Sequence, residues 1–118
     1  MSVDESFPKS ERLTKKSEFE EIYGRGTRYS HRFFTLFVMD NVEGPRKIGF
    51  TVGKRVGIAV VRNRVKRLMR ETYRRNRSRF KSNIRAVVVG RPGCGELRGE
   101  EFSKELAELF RTGGMTVG

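Results

Sequence analysis

The most chemically distinctive part of the sequence is one short segment, residues 60–77. It holds eight basic residues, seven of them arginines, against a single acid, Glu71. A guanidinium group is planar, permanently charged and able to donate paired hydrogen bonds to phosphate or to stack on a base. Residues of this type at this density favour a surface that binds a polyanion, and nucleic acid is the simplest candidate.

The charge of the whole chain is uneven. The 118 residues carry a net charge of +12, from 26 basic and 14 acidic residues. From Lys54 to Arg85, thirteen basic residues face one acid, whereas residues 96–118 carry three basic and five acidic residues. Charge that served solubility alone would be spread more evenly, so this focus indicates a binding surface.

Residues that could carry out catalysis are few. The only histidine, His31, has no serine or aspartate around it in a hydrolase order, and no phosphate-binding glycine loop is present. The carboxylates cluster at Glu18, Glu20 and Glu21 and in the last helix, without the spacing of a metal site. The single cysteine, Cys94, excludes an internal disulfide. We therefore predict no catalytic residue and no metal bound by this chain.

The elements that must position the basic segment follow from the apolar periodicity. Phe19, Ile22 and Tyr23 predict a short helix, capped by Ser17 with Glu20 at the capping-box position and ended at Gly24 or Gly26. The segment 32–39 alternates as a strand, with two largely apolar faces: Phe34, Leu36 and Val38 on one, and Phe33, Thr35, Phe37 and Met39 on the other. A second strand, "KIGFTVG", is expected to pair with it as a hairpin.

The basic segment itself reads as an amphipathic helix. An apolar stripe lies between two cationic flanks and consists of Val61, Val65, Leu68, Met69 and Thr72. The continuous apolar run "NIRAVVVG" then predicts a buried parallel strand, and Phe102, Leu106, Leu109 and Phe110 form one face of a last helix. The order α-β-β-α-β-α predicts an α+β protein, a two-layer α/β sandwich with a mixed sheet.

The predicted organisation is a poorly ordered arm over residues 1–13, one nucleic-acid-binding α/β domain over 14–112 and a short tail over 113–118. The sequence has no apolar run of about 20 residues and no signal-peptide pattern, so a cytoplasmic location and no membrane partner are expected.

The segment "GFTVGKRVGIAVVRNRVKRLMRETYR" resembles the signature of the bacterial ribonuclease P protein component. Its centre is Arg62-Asn63-Arg64 at the start of a basic helix, preceded by a Lys54-Arg55-Val-Gly turn. "ERLTKKSEFEEIYGRGTR" and "AVVVGRP" extend the similarity over residues 11–111. Gly53 stands where the family often has serine.

The resemblance implies a protein subunit of the ribonucleoprotein that removes the 5′ leader from precursor tRNA, with catalysis and Mg²⁺ in the RNA subunit. The expected partners are that catalytic RNA and precursor tRNA, with no small-molecule substrate. It also implies a left-handed βαβ crossover, against the usual rule. The residues implied to bind the RNA subunit are Arg62, Asn63, Arg64, Lys66, Arg67 and Arg70. Those implied to line a cleft for the leader are Phe19, Tyr23, Phe37, Lys54 and Arg55.

Spacing alone leaves other interpretations open. It favours core packing for Phe19, Tyr23 and Phe37, and only the resemblance assigns them to a cleft. A ribosomal or other structural RNA-binding protein would share the charge and the fold. A DNA-binding regulator is disfavoured because the basic helix lies between two strands rather than after a short turn from another helix. A stand-alone protein nuclease is disfavoured by the scarcity of catalytic groups.

Overall fold

A computed structural model describes residues 8–40 and 42–117 of the chain. Three helices and four strands follow one another, with 3-10 turns at Lys9–Glu11, Lys54–Val56, Arg77–Arg79 and Cys94–Glu96. Within the described ranges, no helix is both long and apolar enough to cross a membrane. The elements are α1 (Lys16–Arg25), β1 (Thr27–Ser30), β2 (Phe34–Met39), β3 (Lys47–Val52), α2 (Ala59–Asn76), β4 (Arg85–Gly90) and α3 (Gly99–Thr112).

The four strands form one mixed sheet in the order β1-β2-β4-β3. β2 is antiparallel to both β1 and β4, and β3 is parallel to β4, as the order strand, helix, strand predicts. The predicted α+β class with a mixed sheet is confirmed. The predicted hairpin of β2 with β3 is wrong, because β4 lies between them. The handedness of the β3-α2-β4 crossover stays a prediction.

The central place of β4 has a physical reason. Its Ala86, Val87 and Val88 are fully buried, so the strand is apolar on both faces. Such a strand is most stable in the centre of a sheet, where both of its edges are hydrogen-bonded and both of its faces are covered. β1 was missed because its sequence, "TRYS", has no apolar alternation. It is an edge strand in which only Tyr29 is partly buried.

The main core lies between the sheet and the helices α2 and α3. Aromatic rings meet edge to face through it, with centroid separations of 4.9 Å for Tyr73–Phe80 and 5.0 Å for Phe80–Phe110. The predicted stripe of α2 is buried at Val65, Leu68, Met69 and Thr72 and partly buried at Val61. The outward side of α3 exposes acids together with two basic residues, namely Glu100, Glu101, Lys104, Glu108 and Arg111.

The start of α1 differs from the prediction. The N-cap is Lys15, whose N–H donates to the Glu18 carboxylate at 3.4 Å, so Ser17 and Glu20 do not form the cap. Glu18 also accepts a hydrogen bond from Lys47 Nζ at 3.1 Å, at the start of β3. Burial opposes ionisation of Glu18, but the hydrogen bond and charge of Lys47, together with backbone hydrogen bonds from Lys15 and Thr14, lower the pKa of Glu18. A contact with the sheet therefore decides where this helix begins.

Part of the predicted arm and tail is packed. Residues 1–7 lie outside the described residues, but Glu11 and Leu13 are buried, and the Leu13 N–H donates to the Ile48 carbonyl at 3.2 Å along the edge of β3. In the tail, Met115 is fully buried and its carbonyl accepts a hydrogen bond from the Lys81 N–H at 2.9 Å. The predicted limits at residues 14 and 112 therefore do not separate packed from unpacked chain.

The chain before α1 is held by a buried charge cluster centred on Glu11. The Glu11 carboxylate accepts hydrogen bonds from Arg77, at 3.1 Å to Nε and 2.5 Å to Nη2, and from the Tyr73 hydroxyl. Arg46 Nη2 lies 3.6 Å away. Burial opposes ionisation of Glu11, but the bonds from Arg77 and Tyr73 and the charge of Arg46 lower its pKa. Glu11 thus joins the N-terminal segment to the end of α2.

We expect Glu11→Gln to lower the free energy of unfolding by about 3 kcal/mol near pH 7, because two arginines lose their buried counter-charge. The pKa of Glu11 is lowered on folding, so its charge stabilises the protein above the unfolded-state pKa. This contribution disappears as the pH falls through the folded-state value. Urea unfolding of wild type and variant near pH 7 and near pH 3 measures both effects.

The matched control is Glu20→Gln, which removes the same charge from an exposed pair with Lys16 at 3.9 Å. A loss below about 0.5 kcal/mol is expected for that variant. Equal losses for the two variants would show that the Glu11 cluster does not hold the N-terminal segment.

Candidate nucleic-acid interface

Three aromatic side chains from α1 and β2 form a partly open surface on the sheet. The rings of Tyr23 and Phe37 meet almost perpendicularly with centroids 5.0 Å apart, and those of Phe19 and Tyr23 are 6.5 Å apart. Tyr23 is 41% exposed, and the other two are partly buried. The three rings therefore pack under α1 and also form an aromatic patch that solvent can reach.

The strand register defines a groove beside these rings. Phe37, Val87 and Gly49 lie side by side across β2, β4 and β3. A Cβ atom at Gly49 would lie 2.6 Å from the Phe19 ring, so the missing side chain lets that ring rest directly on β3. The next row on the same face is Thr35, Val89 and Thr51, of which the last two are partly exposed. This row forms the floor, and the aromatic rings form one wall.

Lys54 and Arg55 lie at the end of this groove. They occupy the 3-10 turn that follows β3, and both are exposed. Thr51 of the floor precedes Lys54 by three residues, a span of about 10 Å in extended chain. Neither side chain forms a hydrogen bond or ion pair with another described residue. The structure therefore places two available cations where the floor ends.

The outer face of α2 carries the second group of predicted residues. Asn63, Arg67 and Arg70 are exposed and Lys66 is partly exposed. The three cations make no hydrogen bond or ion pair within the described ranges. Like charges three and four residues apart destabilise a helix by a few tenths of a kcal/mol per pair, and a bound polyanion would remove that cost. Arg62 is more constrained, since its Nε donates to the Gly57 carbonyl at 3.2 Å.

Arg64 is separated from the open cationic face. Its Nη1 donates to the Gly95 carbonyl at 3.0 Å, and its Nη2 donates to the Leu97 carbonyl at 2.9 Å. This clamp fixes the 3-10 turn Cys94–Glu96 against the start of α2. The sequence carried no signal for it, because the acceptors are backbone atoms 31 and 33 residues away.

The glycine-rich turn also depends on close approach. A Cβ atom at Gly95 would lie 2.7 Å from Val61 of α2, so glycine permits the contact that Arg64 clamps. Cys94 in the same turn is buried, and burial raises the pKa of its thiol to about 11. The thiol is therefore neutral at physiological pH and acts as a small core residue.

Both ring nitrogens of His31, the one histidine of the sequence, form hydrogen bonds within the fold. The Phe33 N–H donates to Nδ1 of His31 at 3.0 Å, so the ring proton of the neutral form is on Nε2, which lies 3.0 Å from the Glu105 carboxylate. Several carboxylates are likewise paired with cations, such as Glu21 with Arg25 at 3.2 Å. Over residues 8–40 and 42–117, no three His, Cys, Asp or Glu side chains lie close enough together to hold a metal ion.

An α+β sandwich with a partly open aromatic groove beside a cationic helix is the architecture of a nucleic-acid-binding protein. Residues 7–113 match the family model described as Ribonuclease P. The ribonuclease P protein component of Alkaliphilus metalliredigens is 37% identical over 100 residues, covering 85% of this chain and 90% of the relative. That of Bacillus cereus is 34% identical, covering 98% and 96%.

Solved structures agree with this assignment. The RNase P protein of Staphylococcus aureus superposes with a TM-score of 0.84 at 24% identity, over 91% of this chain and 98% of the other, which supports the fold. That of Thermotoga maritima superposes with a TM-score of 0.77 at 25% identity, over 86% and 96%. The chain belongs to the ribonuclease P protein component family, whose work is tRNA processing. Membership confirms the resemblance found in the sequence and decides against a ribosomal protein.

Because only Arg64 forms the clamp, substitutions of Arg64 and Arg67 should affect the free energy of unfolding differently. We expect Arg64→Gln to lower the free energy of unfolding by about 1–3 kcal/mol, since two carbonyls lose a charged donor. Arg67→Gln should change it by less than about 0.5 kcal/mol. Chemical unfolding of both variants measures the difference.

The same pair gives a binding measurement. Arg67→Gln should reduce the salt slope of ribonuclease P RNA binding by about one unit, because one phosphate contact is lost. Unchanged stability in Arg64→Gln would contradict the clamp, and an unchanged slope in Arg67→Gln would contradict its role on the cationic face.

Proposed function

We propose that this chain binds the catalytic RNA of ribonuclease P through the outer face of α2 and holds the single-stranded leader of precursor tRNA in the aromatic groove. In this proposal the RNA subunit cuts the leader. The observation that carries it is the juxtaposition of two surfaces of different chemistry on one small domain. Partly exposed rings suit unpaired bases, and unpaired cations suit a phosphate backbone.

The groove selects single strands for a physical reason. A base can stack on Tyr23 or Phe37 only if it is not already paired and stacked within a duplex, and each such contact contributes about 1–3 kcal/mol. Every base has a π-face, so this contact tolerates many leader sequences. Lys54 and Arg55 at the end of the floor can neutralise phosphates of the same strand. The groove thus favours a substrate that still carries its leader over the mature product.

The cationic helix has a different task. Two RNA molecules that approach each other repel through their phosphates, and arginines at the contact release counterions and reduce that cost. Arg67 and Arg70, which point outward without partners among the described residues, are suited to this role. In this proposal the RNA would hold the Mg²⁺ ions that supply Lewis acidity, and lower repulsion between phosphates would ease the binding of those ions.

The chain's own acids and histidine support a catalytic centre outside the protein. Glu11, Glu18 and Glu105 are committed to Arg77, Lys47 and His31 respectively. His31 has its Nδ1 lone pair occupied by a backbone N–H. These groups stabilise the fold and are not assembled around a common point where a phosphodiester could lie.

The groove assignment is tested by Tyr23→Ala and Phe37→Leu in the reconstituted holoenzyme. We expect each to reduce the affinity for leader-bearing precursor by about 5- to 30-fold, through loss of base stacking, and to leave the affinity for mature tRNA unchanged. Equilibrium binding measurements with the two RNAs give the ratio of the affinity for precursor tRNA to the affinity for mature tRNA. Phe33→Leu is the control, because Phe33 is partly buried beside Arg32, before β2 and outside the groove. An unaltered ratio in both groove variants would refute the assignment.

The location of catalysis is tested by reconstitution. We expect no cleavage of precursor tRNA by the protein alone, slow cleavage by the RNA alone at high Mg²⁺, and efficient cleavage at moderate Mg²⁺ by both together. Rates in the three mixtures, with protein freed of nucleic acid, measure this. Leader removal by the purified protein without RNA would place the reacting groups in the chain.

A further inference from the structure

A small pocket lies where the N-terminal segment crosses the edge of β3. It has a volume of about 130 Å³ and is lined by Arg12, Leu13, Phe19, Ile48, Phe50 and Arg70, with the backbone at Gly49. Its two charged side chains are both cationic and come from distant parts of the chain. The rest of the lining is apolar, including two aromatic rings. A pocket of this size and chemistry suits one planar ring with an anionic group attached.

The position of Arg12 in this pocket is built into the fold. Arg12 pairs with Ile48 in a parallel bridge, and its neighbours on both sides are buried. Glu11 is bound by Arg77 and Tyr73 and is therefore directed toward the end of α2. The bridge to Ile48 and the burial of both neighbours thus hold the Arg12 backbone at the rim of the pocket.

The pocket also connects the two surfaces described above. Phe19 belongs both to its lining and to the aromatic patch with Tyr23, and Arg70 belongs both to its lining and to the outer face of α2. An RNA strand that passes from the groove to the helix would cross this point.

We propose that this pocket binds a single unpaired nucleotide of RNA, with its base against the apolar lining and its phosphate between Arg12 and Arg70. This inference rests on the proposed function, since it extends RNA binding to the N-terminal segment. The nucleotide comes either from the leader or from the RNA subunit, and the chemistry of the pocket is the same for both.

Affinity measurements with one matched pair of variants test the proposal. Arg12→Gln should weaken binding of the RNA that supplies the nucleotide by about tenfold and lower its salt slope by about one unit. Lys9→Gln removes an equal charge from an exposed residue of the same segment, outside the pocket, and should change the affinity less than twofold. Precursor tRNA with and without a leader, and the isolated RNA subunit, are titrated separately to identify the source.

Site-specific crosslinking tests the position directly. Cys94 is buried, so a cysteine introduced by Arg12→Cys can be labelled selectively with a photoactivatable group. Crosslinking to one nucleotide of either RNA, with a different or diffuse pattern from Lys9→Cys, is expected. Melting temperatures of all variants verify that they are folded.

The outcomes separate the two proposals. If the wild-type chain neither joins the RNA subunit nor favours the leader, both the proposed function and the pocket assignment fail. If the wild type does both but Arg12→Gln behaves as Lys9→Gln in the titrations, or the crosslinks of the two positions coincide, the pocket assignment alone fails.

Discussion

Electrostatic repulsion is the constraint that organises this molecule. A chain of 118 residues with a net charge of +12 must bring many cations together in order to bury its apolar residues. The structure meets this constraint by separating two populations of basic side chains. Basic side chains within the fold are bonded to buried acids or, for Arg64, to backbone carbonyls, whereas those of the two candidate surfaces have no acidic partner in the part of the chain that the structure describes. The acids are therefore as important to the fold as the arginines are to binding.

Glu11 and Glu18 are the clearest examples of the first population. Each is largely buried beside cations, and each has a lowered pKa because those cations and further hydrogen bonds, from Tyr73 to Glu11 and from the backbone to Glu18, together outweigh the cost of burial. One fixes the N-terminal segment to the end of α2, and the other fixes α1 to the start of β3. Glu18 thereby holds α1, which supplies both Phe19 and Tyr23 to the groove, and Glu11 holds the segment that leads into α1. The proposed binding site thus depends on carboxylates for its shape.

The sequence predicted the parts of this structure that depend on local periodicity. The apolar stripe of α2, the two faces of β2 and the parallel β3-α2-β4 unit all follow from which residues recur at which spacing. Phe33 is an exception, because it lies before β2 and packs with the core on the face of Phe34 rather than on that of Phe37. The sequence did not predict that β4 would separate β2 from β3, because strand order depends on burial of both faces of β4 rather than on any turn. It also missed the start of α1, which Lys47 decides from another element, and the packing of Glu11 and Leu13.

The candidate site shows the same division. The sequence does not distinguish the basic residues of α2 at Arg62, Arg64, Lys66, Arg67 and Arg70. In the structure, however, both terminal nitrogens of Arg64 donate hydrogen bonds to the carbonyls of Gly95 and Leu97. Only the three-dimensional structure distinguishes an arginine that holds the fold from one that faces outward. The aromatic residues are the converse case, since spacing favoured core packing for Tyr23, which is 41% exposed.

The charge of the two neighbouring helices is unequal, and this gives the molecule an electric polarity. Helix α2 carries seven basic residues and one acid, whereas α3 carries four acids and two basic residues. In the field of a large polyanion, such a particle experiences a torque before it makes any contact, and it rotates so that its positive side leads. Approaches in the wrong orientation become rare, and the time lost in unproductive encounters falls. For the RNA partner proposed above, this asymmetry would raise the rate of assembly without any contact by α3.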